Sequence, residues 1–369
     1  MKILAYLSYG GKKCYQLELY FSILSALHFL RDPNSDIRIC VISDRPKDFG
    51  NHPLIDQLSF SPAEFAEWTH GTSPHRAKIC ALMKVMDQYR CPVALIDSDT
   101  YFLDHPSKLF ERITPQQSVM FGFEHILHTD LLWQPLFEKL GDRIEFGNVY
   151  LDQQSAMFNA GVVGLDFAHR SLLDQALALA DQLNKTHHGF TDEQLAFSII
   201  LSQVTNLSLS DDLIRHYWGW YERRFIHIQI DRLFKGLTGA NLERLAADPT
   251  PVNFEDAPPV SVKDRLISKL LGLIYRWDHE YKFAYFSYRN ALTYAAKDQD
   301  YANAWAAHTL RGVKTSLIEH PSAQYSRHLQ RDFRHFSQDS IEGLDWLNGE
   351  VKESWLQFWQ HRSQNYRYS

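Results

Sequence analysis

The sequence predicts an α/β fold, a parallel sheet with helices on its faces, followed by a helical C-terminal region. Three observations carry that reading. Strand-like apolar runs alternate with helix-period runs through the first half of the chain. One of those runs, Val93-Ala94-Leu95-Ile96, ends in Asp97-Ser98-Asp99-Thr100, which puts two carboxylates at a strand exit, where an open α/β sheet holds its ligands. Beyond a proline-rich stretch, the strand pattern stops and apolar residues recur at helical spacing.

The elements follow in order. Residues 3–8 read as a strand broken by Gly10-Gly11, and Tyr20, Ile23, Leu24 and Leu27 mark one face of the next helix. A second strand at 37–43 ends in the turn-prone Asp44-Arg45-Pro46. Residues 74–89 form an amphipathic helix striped by Ile79, Leu82, Met83 and Met86, with Thr72 or Ser73 as cap and Pro74 in its first turn. Strands at 93–96, 119–124, 161–165 and 206–209 complete the sheet. Helices around Leu172, Leu173, Ala176, Leu177 and Ala180, and around Leu195, Ile199 and Ile200, lie between them. Prolines at 249, 251, 258 and 259 mark a linker, giving a first domain at 1–248, a linker at 249–261 and a helical region at 262–369. In that last region Leu266, Ile267, Leu270, Leu271 and Ile274 form a stripe, and aromatics crowd 277–288.

A chain of 369 residues can bury a large core, and 45% hydrophobic with 22% charged residues is ordinary for a globular protein. A formal charge of -6 argues against a nucleic-acid partner, since phosphate binding needs a basic face. Cys14, Cys40, Cys80 and Cys91 have no paired metal spacing and read as reduced thiols. With no signal-like amino terminus and no apolar run near membrane-spanning length, a cytoplasmic protein is expected, with peripheral membrane contact left open.

The chemistry gathers in three segments. Asp97 and Asp99 supply two carboxylates, and His216, in His216-Tyr217-Trp218-Gly219, supplies an imidazole. Two carboxylates and an imidazole suit Mn²⁺ or Mg²⁺, and such a cation can hold a diphosphate. The plainer alternative for the aspartates is a solvated turn plus a helix cap. Asp298-Gln299-Asp300, with no strand before it, is an internal control. Phe158-Asn159-Ala160-Gly161-Val162 reads as a strand entry whose small residues let a ligand approach the backbone and whose amide can orient sugar hydroxyls. Arg76 and Lys78 stand in a first helical turn, where the helix dipole disfavours cations, and an anion bound by those side chains and the free amides would explain them.

In this order the motifs resemble the GT-A fold glycosyltransferases, most closely the retaining family 8, the glycogenin-like and galactosyltransferase-like enzymes. The resemblance covers residues 1 to about 225. It rests on the strand ending in Asp97-Ser98-Asp99, on Asn159-Ala160-Gly161, on Thr191-Asp192-Glu193-Gln194-Leu195 opening a helix, and on His216 before Gly219. Two positions depart: Glu193 stands where Gln is usual, and Trp220-Tyr221-Glu222-Arg223-Arg224 replaces a Lys-Pro-Trp.

The resemblance implies a Rossmann-like mixed sheet flanked by helices, with a helical C-terminal appendage. It implies a hexosyltransferase using a nucleotide-diphosphate sugar, UDP-hexose above all, with retention, and an acceptor that is a glycan, a lipid-linked sugar or a protein. Mn²⁺ or Mg²⁺ would sit on Asp97, Asp99 and His216. Ser8, Tyr9 and Ser98 would line the nucleotide, with Arg76, Lys78 and Arg223 or Arg224 at the diphosphate. Asn159, Asp192 and Glu193 would hold the donor sugar, one carboxylate stabilising its positive charge or, under inversion, acting as general base. Aromatics Trp277, Tyr281, Phe283, Tyr285, Phe286 and Tyr288 read either as packing or as an acceptor- or membrane-facing surface. Two other readings compete. A haloacid-dehalogenase-like phosphatase would use Asp97 as nucleophile and Asp211-Asp212 as late acids, although Tyr101 stands where that pattern wants Thr. A non-catalytic nucleotide-sugar binding protein would keep the fold alone.

Overall fold

The computed structural model describes residues 1–32, 34–46, 52–70, 73–187, 191–235, 254–320 and 328–365. Thr72 and the 249–253 part of the expected linker lie outside them. The chain divides into two compact units, Met1–Trp218 with Ile230–Asn253, and Gly219–Gln229 with Phe254–Ser369.

The first unit runs β1 (Lys2–Ser8), α1 (Lys13–Phe29), β2 (Ile37–Ser43), β3 (Ile55–Ser59), α2 (Pro62–Thr69), α3 (Arg76–Tyr89), β4 (Val93–Ile96) and β5 (Thr100–Phe102). It continues α4 (Ser107–Glu111), β6 (Gln117–Ile126), α5 (Gln134–Leu140), β7 (Arg143–Phe146), β8 (Val149–Asp152) and β9 (Ala156–Leu165). It closes with α6 (Arg170–His187), α7 (Asp192–Val204), β10 (Asn206–Leu209) and β11 (Ile214–His216).

Seven strands make one sheet in the order β10-β6-β9-β4-β1-β2-β3. β9 alone runs against the rest, antiparallel to β4 and β6, while the other neighbours pair in parallel. The expected mixed sheet between helices is therefore present. β1 and β4 are continuous apolar runs because helices cover both faces of the sheet. Ile3, Ala5, Val93, Leu95 and Val163 meet the α3 stripe of Ile79, Leu82 and Met86 in one core.

The reversal of β9 positions the site. A strand that starts where its neighbours finish brings its first residues to their C-terminal edge. Asp97 N at the end of β4 thus donates to Gly161 O at 2.8 Å. Asn159-Ala160-Gly161, expected at a strand entry, lies inside β9, because pairing with β6 extends the strand back to Ala156. A separate antiparallel ribbon joins β11 to β5 and sets His216 opposite Thr100.

α3 corrects a second expectation. It starts at Arg76 with His75 as cap and no side-chain capping bond. The amides of Arg76, Ala77 and Lys78 donate to the carbonyls of Ser73, Pro74 and His75, so they are not free for an anion.

The second unit opens with the start of α8 (Trp220–Leu233) and holds α9 (Val262–Ile274), α10 (His279–Tyr294), α11 (Gln299–Glu319), α12 (Leu329–Asp332) and α13 (Gly349–Asn365). Ser261, Asp278 and Asp298 cap α9, α10 and α11 by accepting from Asp264 N, Tyr281 N and Tyr301 N. Its core gathers Tyr281, Trp305, Phe333, Phe336 and Trp355. Trp277, Tyr281 and Tyr288 are buried, and Tyr285 and Phe286 pack partly buried against the same core. Phe283 rests on Trp220 and Tyr221. Those aromatics serve packing, since burying rings stabilises a helical unit more than exposing them. No described helix is long and apolar enough to cross a membrane.

Candidate functional site

At the β4 exit the backbone is pinned on three sides. Thr100 Oγ1 donates to Asp97 O at 2.8 Å and shares a 2.9 Å hydrogen bond with Ser22 Oγ of α1. Tyr217 N donates to Asp99 O at 3.0 Å, which carries the β11 strand across to the aspartates. Asp97, Asp99 and His216 converge: one donor atom from each lies within 4.8 Å of the other two. Asp99 and His216 are buried, and Asp97 is partly exposed.

The imidazole is held in one tautomer. His216 Nδ1–H donates to Asn159 Oδ1 at 3.0 Å, and Gly161 N donates to the same oxygen at 2.8 Å. Asn159 Nδ2 donates to Glu124 Oε1 at 2.7 Å, Gln194 Nε2 donates to Glu124 Oε2 at 2.9 Å, and Ala160 N donates to Gln194 Oε1 at 3.1 Å. On the other edge of the ring, Nε2 lies 3.2 Å from Asp99 Oδ1, where it can share a proton with that carboxylate or offer a lone pair to a cation beside it. Two acceptors that close repel unless a proton or a cation lies between them. Carboxylate oxygens and a neutral imidazole nitrogen backed by a hydrogen-bonded Nδ1 fit a divalent cation such as Mn²⁺ or Mg²⁺. Gly161 is required here: a Cβ at that position would run into the His216 ring and Asn159 Oδ1.

Asn159, expected at the donor sugar, is engaged within the protein at both ends of its amide. Both ends of its amide are used to orient the imidazole. Glu124 and Gln194, which sequence reasoning did not assign, complete that support. Gln194 lay inside the quoted Asp192-Glu193-Gln194 segment, whereas nothing in the sequence marks Glu124.

Charge balances on the other side. Lys78 Nζ donates to Asp97 Oδ2 at 2.7 Å and stands 3.9 Å from Glu193 Oε1. Burial pulls the Lys78 ammonium down, but Asp97 and Glu193 outweigh it and hold the pKa above the ordinary lysine value. Burial pushes the Glu193 carboxyl up to about 7, against the pull of Lys78 and with the help of Asp97. His75 Nδ1 lies 3.6 Å from Glu193 Oε1, and burial, then Lys78, push its imidazole down to about 4. His75 is the third residue that sequence reasoning missed.

Arg76 goes elsewhere. Positions two apart on a helix face different directions, so when Lys78 reaches Asp97, Arg76 cannot. Its guanidinium grips Asp181 through Nε at 2.6 Å and Nη2 at 3.0 Å and donates to Trp68 O at 2.7 Å. Asp192 and Glu193, in the first turn of α7, line a cleft of about 110 Å³ with Ser73, Arg76, Asp181 and Lys185. Ser8 ends β1 beside Ser43 of β2, and the Tyr9 ring packs at a tilt against Phe65, centroids 4.6 Å apart. The Tyr9 phenol is raised mainly by burial, with Lys78 opposing and Asp97 adding, which puts it in the field of the site. Ser98 lies between the two aspartates, partly exposed.

Arg223 and Arg224 lie on α8, in the second unit. There Arg224 and Arg311 add to burial in pushing the His308 imidazole down to about 3. Asp212, a late acid in the phosphatase alternative, is engaged by Arg112 through two hydrogen bonds of 2.7 Å at an exposed position.

No protein-family model matches the chain, and no curated protein matches it. Among solved structures it is similar to the galactosyltransferase LgtC in complex with donor and acceptor sugar analogs, at 14% identity and TM-score 0.43, over 69% of this chain and 98% of that one. It is also similar to mouse xyloside xylosyltransferase 1 in its apo form, at 14% identity and TM-score 0.38, over 57% and 85%. A third is the apo WbbM bifunctional glycosyltransferase, at 14% identity and TM-score 0.39, over 66% and 51%. All three are glycosyltransferases.

Proposed function

We propose that this chain is a metal-dependent GT-A glycosyltransferase that moves a hexose from a UDP-sugar to a hydroxyl acceptor with retention. The observation that carries this reading is the convergence of Asp97, Asp99 and a tautomer-locked His216 at the exit of β4. The sequence resemblance supplies the donor class and the stereochemistry.

A bound Mn²⁺ or Mg²⁺ supplies Lewis-acid neutralisation of the diphosphate leaving group. The chain's own residues do the rest. Asp97, Asp99 and His216 Nε2 would hold the cation, while Asn159 and Glu124 orient the imidazole. Lys78 adds a fixed positive charge beside Asp97, on the side where negative charge develops. In this reading Tyr9 and Ser8 would border the nucleotide, and Asp192 and Glu193 would face the sugar. Asp192 stabilises positive charge building on the anomeric carbon. Glu193, with its pKa near neutrality, is the group suited to accept a proton if transfer inverts.

A panel of nucleotide sugars tests the reading. Purified protein is incubated with each donor plus Mn²⁺, then with chelator, and free nucleoside diphosphate is measured. Release from one donor class that stops on chelation is expected, and the anomer of the product settles retention. No release from any donor, or release indifferent to chelation, sinks the proposal.

A further inference from the structure

α9 is built the wrong way round for a core helix. Its buried positions are Asp264, Ser268 and Gly272, one polar-and-small stripe at a spacing of four. That stripe fastens it to α10. Arg289 Nε donates to Asp264 Oδ1 at 2.6 Å, Thr293 Oγ1 donates to Asp264 Oδ2 at 3.2 Å, and the Lys282 stem fills the space that a side chain at Gly272 would take. Leu271 packs partly buried against the core and Ile267 is half-buried, but the other apolar residues face outward. Val262 is 82% exposed, Leu273 76%, Ile274 68%, Leu266 56% and Leu270 49%. A contiguous apolar stripe of that kind marks an interaction surface.

The charges name the partner. Lys263, Arg265, Lys269 and Arg276 are all exposed on or just beyond this helix, and its one acid, Asp264, is buried against Arg289. At 3.6 residues per turn Arg265 and Lys269 run along one edge of the apolar stripe. This concentration of cations sits on a chain whose formal charge is -6. A symmetric pairing of two copies through this face would set the same four cations against each other, so self-association is opposed. An anionic bilayer complements both features, apolar face to acyl chains and cations to headgroups. Thirteen residues make a helix of about 20 Å, too short to cross the hydrocarbon core of about 30 Å, so it would lie in the plane.

We infer that α9 is an in-plane anchor that docks the helical unit on an anionic phospholipid surface through Leu266, Leu270, Leu273 and Ile274. This surface is independent of the proposed donor chemistry.

Sedimentation of the full chain with vesicles tests it. Vesicles of phosphatidylcholine alone are compared with vesicles containing phosphatidylglycerol, at low and high salt. Binding to the anionic vesicles that weakens with salt is expected. Leu266→Gln, Leu270→Gln and Leu273→Gln combined should abolish it, and Lys263→Gln, Arg265→Gln and Lys269→Gln combined should weaken it about a hundredfold, at roughly fivefold per cation. All six side chains are exposed, so both variants should keep the wild-type melting temperature and circular dichroism. Wild-type protein that ignores anionic vesicles overturns the inference, as does a triple-leucine variant that binds like wild type. A wild-type dimer that the leucine variant converts to monomer, without vesicle binding, overturns it in favour of a second copy.

Discussion

Asp97-Ser98-Asp99 and Asp298-Gln299-Asp300 are equally spaced pairs of carboxylates in one chain, and the structure uses them differently. The second pair opens a helix. Asp298, in extended backbone, accepts from Tyr301 N and caps α11, and Asp300 lies in the first turn. The first pair follows a buried strand and turns back into β5, with its backbone held by Gly161, Thr100 and Tyr217. There the carboxylates are brought to an imidazole instead of a helix end. Spacing therefore says little. What precedes the pair, and which distant strand the following residues pair with, decides whether two acids make a cap or join an imidazole in a candidate metal site.

The comparison can be broken most decisively by exchanging small side chains at both places. Asp99→Ala should lower transfer by about 10³-fold or more and remove Mn²⁺ binding measured by calorimetry on the protein alone, with circular dichroism unchanged. Asp300→Ala should leave both readings at wild-type level. Strong Mn²⁺ binding in Asp99→Ala would falsify the three-residue site.

Gly161→Ala comes next. The added methyl meets the His216 ring, so the imidazole must move, and Mn²⁺ affinity should fall by about 10- to 100-fold. Glu124→Gln should cost somewhat less, because Asn159 retains its two other bonds. An unchanged affinity in both variants would show that the imidazole needs no support.

A pH series sharpens the contrast in electrostatics. Glu193, raised from 4.5 to about 7 by burial, binds more protons folded than unfolded in that window, so its contribution to stability is present below about 4.5 and lost as pH rises through about 7. His75, lowered from 6.5 to about 4, acts in the opposite sense and adds stability as pH rises. The two offset one another. In metal-free Glu193→Gln only the His75 trend remains, and the melting temperature should climb more steeply between pH 4 and 7 than in wild type. Parallel curves would remove Glu193 from the site's charge balance.

The smallest effect belongs to the cap. Asp298→Ala should lose about 1 kcal/mol of stability by denaturant melting and no activity. A loss of activity at unchanged stability would contradict the division between the two pairs.

Much of the framework was legible because buried parallel strands are nearly continuous apolar runs: β2, interrupted only by Arg38 before its closing Ser43, and β4 can be read to the residue from 37–43 and 93–96. The pieces that complete the site were not. β5 and β11 have three residues each, too few for any alternation, yet they alone bring His216 to Asp99. The β7–β8 hairpin did carry a signal, Gly147-Asn148 between short strands, with Gly147 at φ +60°. So did α2, where Ser61 and Glu64 form a capping box. Arg76 and Lys78 looked equivalent because both are cations in one turn. Only the direction of each side chain separates them. α9 shows a further limit: periodicity located its apolar stripe but was silent on whether that stripe faces protein.

The reversed β9 bears on how the protein folds. The pairs that make the candidate metal site lie far apart in the chain, 57 residues for His216 with Asn159 and 117 for His216 with Asp99. Loops of that length close late, after local helices such as α3 and α6 have formed. In a refolding experiment the return of helical circular dichroism should therefore precede the return of Mn²⁺ binding. The cation then serves as a clock for the last non-local step of the chain's assembly.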